Sequence, residues 1–235
     1  MVWFWFVFFT VLVWAVCYPL TDFFVRFISP RSVRKGRTQG KKICLTFDDG
    51  PDPVYTPEVL MILEKARIPA TFFLVGKKIR QSPDLVKKIA AAGHDIGYHS
   101  YFHQNAYLLF IQKSFMTIYW GRTELEEIIQ KPLVWFRPPW GALNLFEFWS
   151  LKRLGLRIVL WTANAKDWSI RTSPAEILAR LALKVKTNSI IVLHDSGGDL
   201  GAPRQTLEAL PEVISHFQKE GYQFVTLGAI LENGH

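Results

Sequence analysis

Short apolar runs alternate with helix-like segments along most of this chain. The runs typical of strands are 43–47, 71–75, 95–97, 134–137, 158–162, 190–194 and 223–226. Between them, Thr56-Pro57, Ser82-Pro83 and Ser173-Pro174 are typical helix starts, and Glu176 would complete a capping box with Ser173. Strands that alternate with helices favour a parallel sheet covered by helices. We therefore predict an α/β fold, a single distorted (β/α) barrel of about seven parallel strands.

The N-terminal segment differs from the rest in composition. Residues 1–21 contain no charged side chain, and about 20 apolar residues are enough to span a bilayer as a helix. A cleaved signal peptide would need a basic residue before the apolar run and a small-residue site after it, and neither is present. We predict a transmembrane anchor over 1–21, a basic linker over 22–41 and one globular domain over 42–231.

The positive charge of the chain is concentrated next to this anchor. The net charge is +8, and residues 22–42 contain seven basic residues and one acid, so the remainder is nearly neutral. A basic segment beside an apolar one indicates contact with anionic lipid headgroups rather than with nucleic acid. The positive-inside rule, applied to these charges, places the globular domain in the cytoplasm.

Ionisable side chains follow directly after several of the predicted strands. In barrels of this kind, the C-terminal ends of the strands carry the catalytic groups. We therefore expect these side chains to converge at one end of the barrel: Asp48, Asp49, His99, Arg137, Asp167 and His194.

Two histidines and two aspartates indicate a metal site. His99 and His103 are four residues apart, which would place both imidazoles on one face of a helical turn. Two histidines and one carboxylate form a common catalytic zinc set that leaves one position open for water. Ser100 follows His99, so the H-E-x-x-H protease motif is absent. Of the adjacent aspartates 48 and 49, we expect one to hold the metal and the other to accept a proton.

Five motifs carry a family resemblance. In order, TFDDGP, HSYFH, RPPWG, NAKDW and IVLHD closely resemble the motifs of the NodB-homology polysaccharide deacetylases, carbohydrate esterase family four. The resemblance covers about residues 42–231. It implies a distorted β/α barrel that removes N-acetyl, and sometimes O-acetyl, groups from sugar polymers with zinc or another divalent metal ion.

The resemblance also implies a role for each matching residue. Asp48 would be the general base, and Asp49, His99 and His103 would be the metal ligands. Arg137 would pair with Asp48 and keep it ionised and oriented.

The remaining motifs supply the other side of the site. By the same resemblance, His194 would be the general acid that protonates the leaving amine, and Asp167 would tune it. The backbone N–H of Trp140 would contribute to the oxyanion site. The pocket for the acetyl methyl group would be formed by Trp168 with Leu193 or Val192.

Three positions depart from the family pattern. Asn164 replaces a frequent Asp, Trp140 replaces a common Tyr, and Val192 replaces a common Leu. None of these changes removes a catalytic group, so we predict an active enzyme.

The sequence leaves the substrate open. An N-acetylated glycan is the expected partner, together with membrane lipids at the anchor and linker. The alternatives are a deacylase of a lipid-linked sugar, an O-acetyl esterase and a non-catalytic, membrane-tethered glycan-binding protein. Family members mostly act on wall polymers, which favours a domain outside the cytoplasm, against the charge rule.

Overall fold

The computed structural model describes residues 31–106 and 111–231, together with residues 3–5, 8, 20, 23, 25 and 29. The strands formed there are β1 Ser32–Val33, β2 Lys42–Asp48, β3 Thr71–Leu74, β4 Asp95–Tyr98, β5 Trp135–Phe136, β6 Arg157–Val159, β7 Ala163–Asn164, β8 Ile190–His194 and β9 Gln223–Phe224. The helices are α1 Tyr55–Ala66, α2 Gly76–Gln81, α3 Pro83–Ala91, α4 Ile111–Ile129, α5 Leu145–Arg153, α6 Pro174–Lys184, α7 Ala202–Lys219 and α8 Leu227–Leu231. A short 3-10 turn covers Pro139–Gly141.

The strands form one parallel sheet that curls into a half-barrel. Its order is β1-β6-β5-β4-β3-β2-β8-β7, and β9 also pairs with β2. The predicted parallel β/α architecture is confirmed, but the sheet order has two ends, β1 and β7, where a closed barrel has none. The isolated bridge between Lys35 and Ser189 spans part of the gap. Strands β1 and β7, with two residues each, are not among the predicted apolar runs.

The segment expected to be a basic linker contributes to the fold. Within residues 22–41, Val25 is buried and Val33 lies in β1, which pairs with β6. A Cβ atom on Gly36 would come within 2.4 Å of the Ile230 side chain, so the segment also packs closely against α8. Charged residues flank these contacts, so the sequence around β1 does not show the apolar pattern of a strand.

Most of the predicted anchor, residues 1–21, lies outside the described residues. Among the residues that are described, the structure contains no helix that is both long enough and apolar enough to cross a bilayer.

The first two predicted helix starts differ in their chemistry from the third. The capping box of Ser173 and Glu176 is present at α6, as predicted. Helix α1 instead begins at Tyr55, and the Oδ1 atom of Asp52 accepts hydrogen bonds from the N–H groups of Val54 and Tyr55. The hydroxyl of Thr56, the predicted cap, instead accepts a hydrogen bond from the N–H of Asp52 and donates one to Asp195. Ser82 precedes α3 without a side-chain cap.

Strand β2 lies at the centre of the core. Six of its seven residues are buried, and it pairs with β3, β8 and β9. Phe47 stacks on Phe72 of β3 with 5.1 Å between ring centroids, and burial of each such ring contributes roughly 1.5–3 kcal/mol. This rigid centre fixes the position of the polar residues at its C-terminal end.

Candidate active site

The C-terminal ends of the central strands surround a cavity of about 640 Å³. Both Asp48 and His194 are the last residues of their strands, and they are register partners in the β2–β8 pair. The cavity is lined by Asp48, Asp49, His99, His103, Trp140, Trp168 and His194, among others. The polar residues predicted to converge at this end of the sheet are therefore brought together.

Asp48 forms a buried ion pair with Arg137. The Nη1 atom of Arg137 lies 2.6 Å from Oδ1 of Asp48 and 2.7 Å from the hydroxyl of Thr46. The guanidinium is fully buried and lies over the ring of Phe73, 4.0 Å from its centroid. A buried cation in such contact keeps the Asp48 carboxylate oriented toward the cavity.

Asp49 turns toward the two histidines. Its φ angle of 73° lies in the left-handed region, which an ordinary strand residue does not adopt. Its Oδ1 atom lies 3.3 Å from Nε2 of His99 and 3.0 Å from Nε2 of His103. Burial by itself would raise the pKa of Asp49, but His103 and His99 in their protonated forms would hold it well below its usual range.

The histidines do not share a helix, contrary to the interpretation of their spacing. Residues 99–105 form an irregular loop in which Ser100 and His103 have positive φ angles of 63° and 51°. The N–H of His103 donates to the hydroxyl of Ser100 at 3.1 Å, which stabilises the turn. The two left-handed residues bring the imidazoles together as a helix would have done.

The tautomer of His99 indicates that this group is built for a cation. The Nδ1 atom of His99 lies 2.7 Å from the carbonyl oxygen of Arg137, and a carbonyl only accepts, so Nδ1 carries the proton. In the neutral ring, Nε2 then directs a lone pair toward the carboxylate of Asp49, and this arrangement is repulsive without a cation. The candidate ligand atoms of Asp49, His99 and His103 all lie within 4.8 Å of one another. The three residues therefore fit a divalent metal ion.

His194 lies beside Asp48 at the end of β8 and is held by Asp167. The Nδ1 atom of the His194 ring is 3.0 Å from Oδ1 of Asp167. The backbone N–H of His194 donates to Oδ2 of the same carboxylate at 2.7 Å. Thr206 donates a further hydrogen bond to Asp167. Burial by itself would lower the pKa of His194, but Asp167, and then Asp48 and Asp49, raise it to about 9.

Sequence analysis left Leu193 and Val192 as alternatives for the apolar wall of the cavity, and Val192 is the one found there. Leu193 is fully buried in the core, and Val192 lines the cavity instead. Side chains alternate along a strand, so Val192 shares the face of His194 and Leu193 points away from it. Trp168 lines the cavity as expected and is 46% exposed.

Trp140 contributes its side chain to the cavity. It lies in the 3-10 turn with a φ angle of 54°, and its ring centroid is 4.6 Å from that of His103. The indole is 59% exposed. It therefore covers one side of a candidate metal ligand and presents a flat apolar face to the cavity.

Sequence reasoning missed several residues that line the cavity. Phe102 and Trp161 add aromatic surface, and Lys77 and Lys78 add positive charge. Phe102 lies between the two histidines of HSYFH, so its position in the motif was a usable signal. The lysines lie on α2, where nothing in the local pattern distinguishes them from other surface lysines.

Comparisons with known proteins identify the family of this chain. The profile of a family described as polysaccharide deacetylase matches residues 35–159. The peptidoglycan-N-acetylglucosamine deacetylase of Bacillus cereus is 36% identical over 197 residues, which are 83% of this chain and 90% of that protein.

Solved structures show the same fold. The Bc1960 peptidoglycan N-acetylglucosamine deacetylase matches with a TM-score of 0.80 and 28% identity, covering 87% of this chain and 94% of that chain. A family 4 acetyl xylan esterase from Clostridium thermocellum, in complex with a cobalt ion, has a TM-score of 0.74, 30% identity and coverages of 81% and 90%. BA3943, a CE4 family pseudoenzyme from Bacillus anthracis, has a TM-score of 0.78, 25% identity and coverages of 88% and 74%.

Fold and site together define a metal-dependent hydrolase built on a curled parallel β/α half-barrel. The chain belongs to the polysaccharide deacetylase family, carbohydrate esterase family four, whose deacetylases hydrolyse amide bonds.

Proposed function

We propose that this protein removes the acetyl group from an N-acetylated amino sugar in a glycan, with N-acetylglucosamine in peptidoglycan as the first candidate. The division of labour between the two aspartates carries the proposal. Asp49 faces both histidines, whereas Asp48 is paired with Arg137 and lies 3.9 Å from Nε2 of His99. One carboxylate is therefore available to hold an ion and the other to accept a proton. The similarity to the Bacillus cereus enzyme supports the substrate class.

Asp49, His99 and His103 would hold the divalent ion, and two nitrogen ligands with one oxygen ligand favour zinc. When bound, such an ion supplies a Lewis acid that activates water and polarises the amide carbonyl. Asp48 accepts the proton of the attacking water, and the ion pair with Arg137 keeps this carboxylate aligned. The backbone N–H of Trp140 donates to the oxygen on which negative charge develops.

His194 completes the reaction from the other side of the cavity. An amine is a poor leaving group unless it is protonated, so the sugar nitrogen needs an acid. His194 donates this proton from Nε2, because its other ring nitrogen, Nδ1, is held by Asp167. Val192 and Trp168 line the part of the cavity assigned to the acetyl methyl group.

The presence of these groups argues for catalysis rather than for binding alone. BA3943 has this fold and is described as a pseudoenzyme, so the fold by itself does not establish turnover. Glycan binding requires neither a buried base–arginine pair nor a histidine held by a carboxylate. Both features are present here.

Acetate release by the purified protein tests the proposal. The panel should contain peptidoglycan, chitooligosaccharides and O-acetylated xylan, each assayed with Zn²⁺, with Co²⁺ and with excess chelator. We expect metal-dependent acetate release from the N-acetylated glycans. Release from acetylated xylan alone would identify an O-acetyl esterase, and binding without any release would identify a glycan-binding protein.

We propose further that residues 1–21 anchor the chain in a membrane and that the domain lies outside the cytoplasm. The apolar composition of the segment supports the anchor, and a peptidoglycan substrate supports the outer side, although the basic residues that follow favour the inner side. Protease added to intact spheroplasts should cut the domain. Cleavage only after lysis would place the domain in the cytoplasm and exclude a wall polymer as its substrate.

A further inference from the structure

Asp49 adopts a conformation that its sequence does not favour. A non-glycine residue with a φ angle of 73° is strained and persists only where surrounding contacts hold it. The side chain has little room on its other side, because a Cβ atom on Gly197 would lie 2.3 Å from Oδ2 of Asp49. The direction of this candidate ligand therefore depends on what holds its backbone.

Lys78 holds that backbone. Its Nζ atom lies 2.7 Å from the carbonyl oxygen of Asp49 and also donates to the hydroxyl of Ser196. A hydrogen bond from an ammonium group is roughly twice as strong as one between neutral groups. Lys78 thereby joins the loop after β2 to the loop after β8.

Ser196 continues the network into the start of α1. Its hydroxyl donates to Oδ2 of Asp52 at 3.3 Å, and the other oxygen of Asp52 caps α1. The hydroxyl of Thr56 accepts from the N–H of Asp52 at 2.8 Å and donates to the buried carboxylate of Asp195. Polar groups from two loops and two helices are thus connected immediately behind Asp49.

The loops are packed too closely to shift independently. A Cβ atom on Gly50, the residue after Asp49, would come within 2.6 Å of Oδ2 of Asp195. The carbonyl oxygen of Gly50 also accepts a hydrogen bond from the N–H of Val75 at 2.8 Å. The loop after β2 is therefore held against both Asp195 and Val75. Within this network, Lys78 is the residue whose side chain contacts Asp49.

We propose that Lys78, supported by Ser196, is a positioning residue that holds Asp49 in its left-handed conformation so that its carboxylate faces His99 and His103. This inference rests on the metal site proposed above. Lys78 acts through the backbone of Asp49, without ligating the ion. Hydrogen-bond partners of metal ligands typically contribute about 10- to 100-fold in metal affinity.

The dissociation constant for Zn²⁺, measured by competition with a chromophoric chelator, tests this role directly. We expect Lys78→Met to weaken Zn²⁺ binding by about 10- to 100-fold and Ser196→Ala to weaken it by less. Lys78→Arg, which keeps a cationic donor, should recover part of the affinity. Lys65→Met is the matched control, because Lys65 is an exposed lysine in the last turn of α1, and it should bind Zn²⁺ like the wild type.

Two further measurements separate positioning from other roles. A merely structural role would lower the melting temperature of the metal-free Lys78→Met protein without weakening Zn²⁺ binding, and a direct substrate contact would raise KM with unchanged Zn²⁺ affinity. Either result would overturn the inference. His103→Ala tests the underlying site: if it binds Zn²⁺ as the wild type does, the proposed metal site itself is wrong. If it loses Zn²⁺ while Lys78→Met retains full affinity, only the role of Lys78 is wrong.

Discussion

Arg137 contacts Asp48 through its guanidinium, with 2.6 Å between Nη1 and Oδ1, in a place where both side chains are buried. Its backbone carbonyl lies 2.7 Å from Nδ1 of His99. One residue therefore orients the proposed base with its side chain and a candidate metal ligand with its main chain. Since the carbonyl contact survives any substitution, the side-chain contribution can be tested separately.

We expect Arg137→Met to lower the free energy of unfolding by about 3–5 kcal/mol, because removal of one partner from a buried ion pair leaves an uncompensated charge. Urea denaturation measures this loss. Arg157→Met is the control. The Arg157 guanidinium lies 5.2 Å from the Trp135 ring centroid, and the residue is only partly buried. Such a contact contributes less than about 1 kcal/mol. Equal, small losses in both variants would show that the Asp48–Arg137 pair contributes no net stability.

Asp48→Asn should retain the metal ion and lose most of its activity, with kcat lowered by roughly 100- to 10,000-fold. An amide keeps the shape of the side chain but accepts a proton poorly. Asp49→Asn should instead lose metal affinity, which elemental analysis of the dialysed protein measures. If Asp48→Asn loses the metal and Asp49→Asn keeps it, the roles of the two aspartates are reversed.

Activity should fall at high pH as His194 loses its proton. The pKa of His194 is raised to about 9, and a general acid acts only in its protonated form, so kcat should decline as pH rises through that range. Part of the increase comes from the charges of Asp48 and Asp49, which a bound cation would offset. In the metal-loaded enzyme, the midpoint of this high-pH decline in kcat should therefore lie at or somewhat below about pH 9.

Asp167→Asn should move this high-pH decline in kcat to lower pH, because the substitution removes the negative charge that lies nearest to His194. The control is Asp199→Asn, whose carboxylate instead binds Ser169 and the N–H of Ile170. If kcat of Asp167→Asn declines at the same pH as that of the wild type, a group other than His194 controls the decline.

Glu147 gives the stability of the fold a pH dependence that is separate from the chemistry. It is 2% exposed, its Oε2 atom has no hydrogen-bond partner among the described residues, and burial raises its pKa from 4.5 to about 8. Between these values the unfolded chain is ionised while the folded protein keeps the proton. Stability is therefore lost as pH rises from about 4.5 to about 8, by up to about 1.4 kcal/mol per pH unit.

Glu147→Gln removes this dependence. We expect its melting temperature relative to the wild type to rise between pH 5 and pH 8, as followed by circular dichroism. The exposed Glu58 provides the control, since Glu58→Gln should give the same difference at both pH values. A constant difference for Glu147→Gln as well would show that Glu147 is ionised in the folded protein.

The sequence predicted the elements whose signals are local or repeated. The parallel architecture followed from the alternation of strands and helices, and the capping box at Ser173 follows from its immediate neighbours. The convergence of Asp48, His99 and His194 followed from their places at strand ends, because the C-terminal ends of parallel strands meet.

Other features depend on contacts between residues that are distant in the chain. Thr56 was assigned as a helix cap because nothing nearby shows that its hydroxyl would meet Asp195. The role inferred for Lys78 has the same origin, since its partners follow β2 and β8. The alternatives Leu193 and Val192 are separable from the sequence itself, because strand alternation with His194 places Val192 on the cavity side.

The register of β2 with β8, in which Asp48 is the partner of His194, has a consequence for biosynthesis. The proposed base, its arginine and all three candidate metal ligands precede α5, whereas the acid arrives on one of the last strands. Strand β2 is flanked by β3 and β8, so β8 must insert beside a strand made much earlier. A nascent chain thus contains the full metal-binding set before it contains the proton donor, and hydrolytic competence is the last property that it acquires.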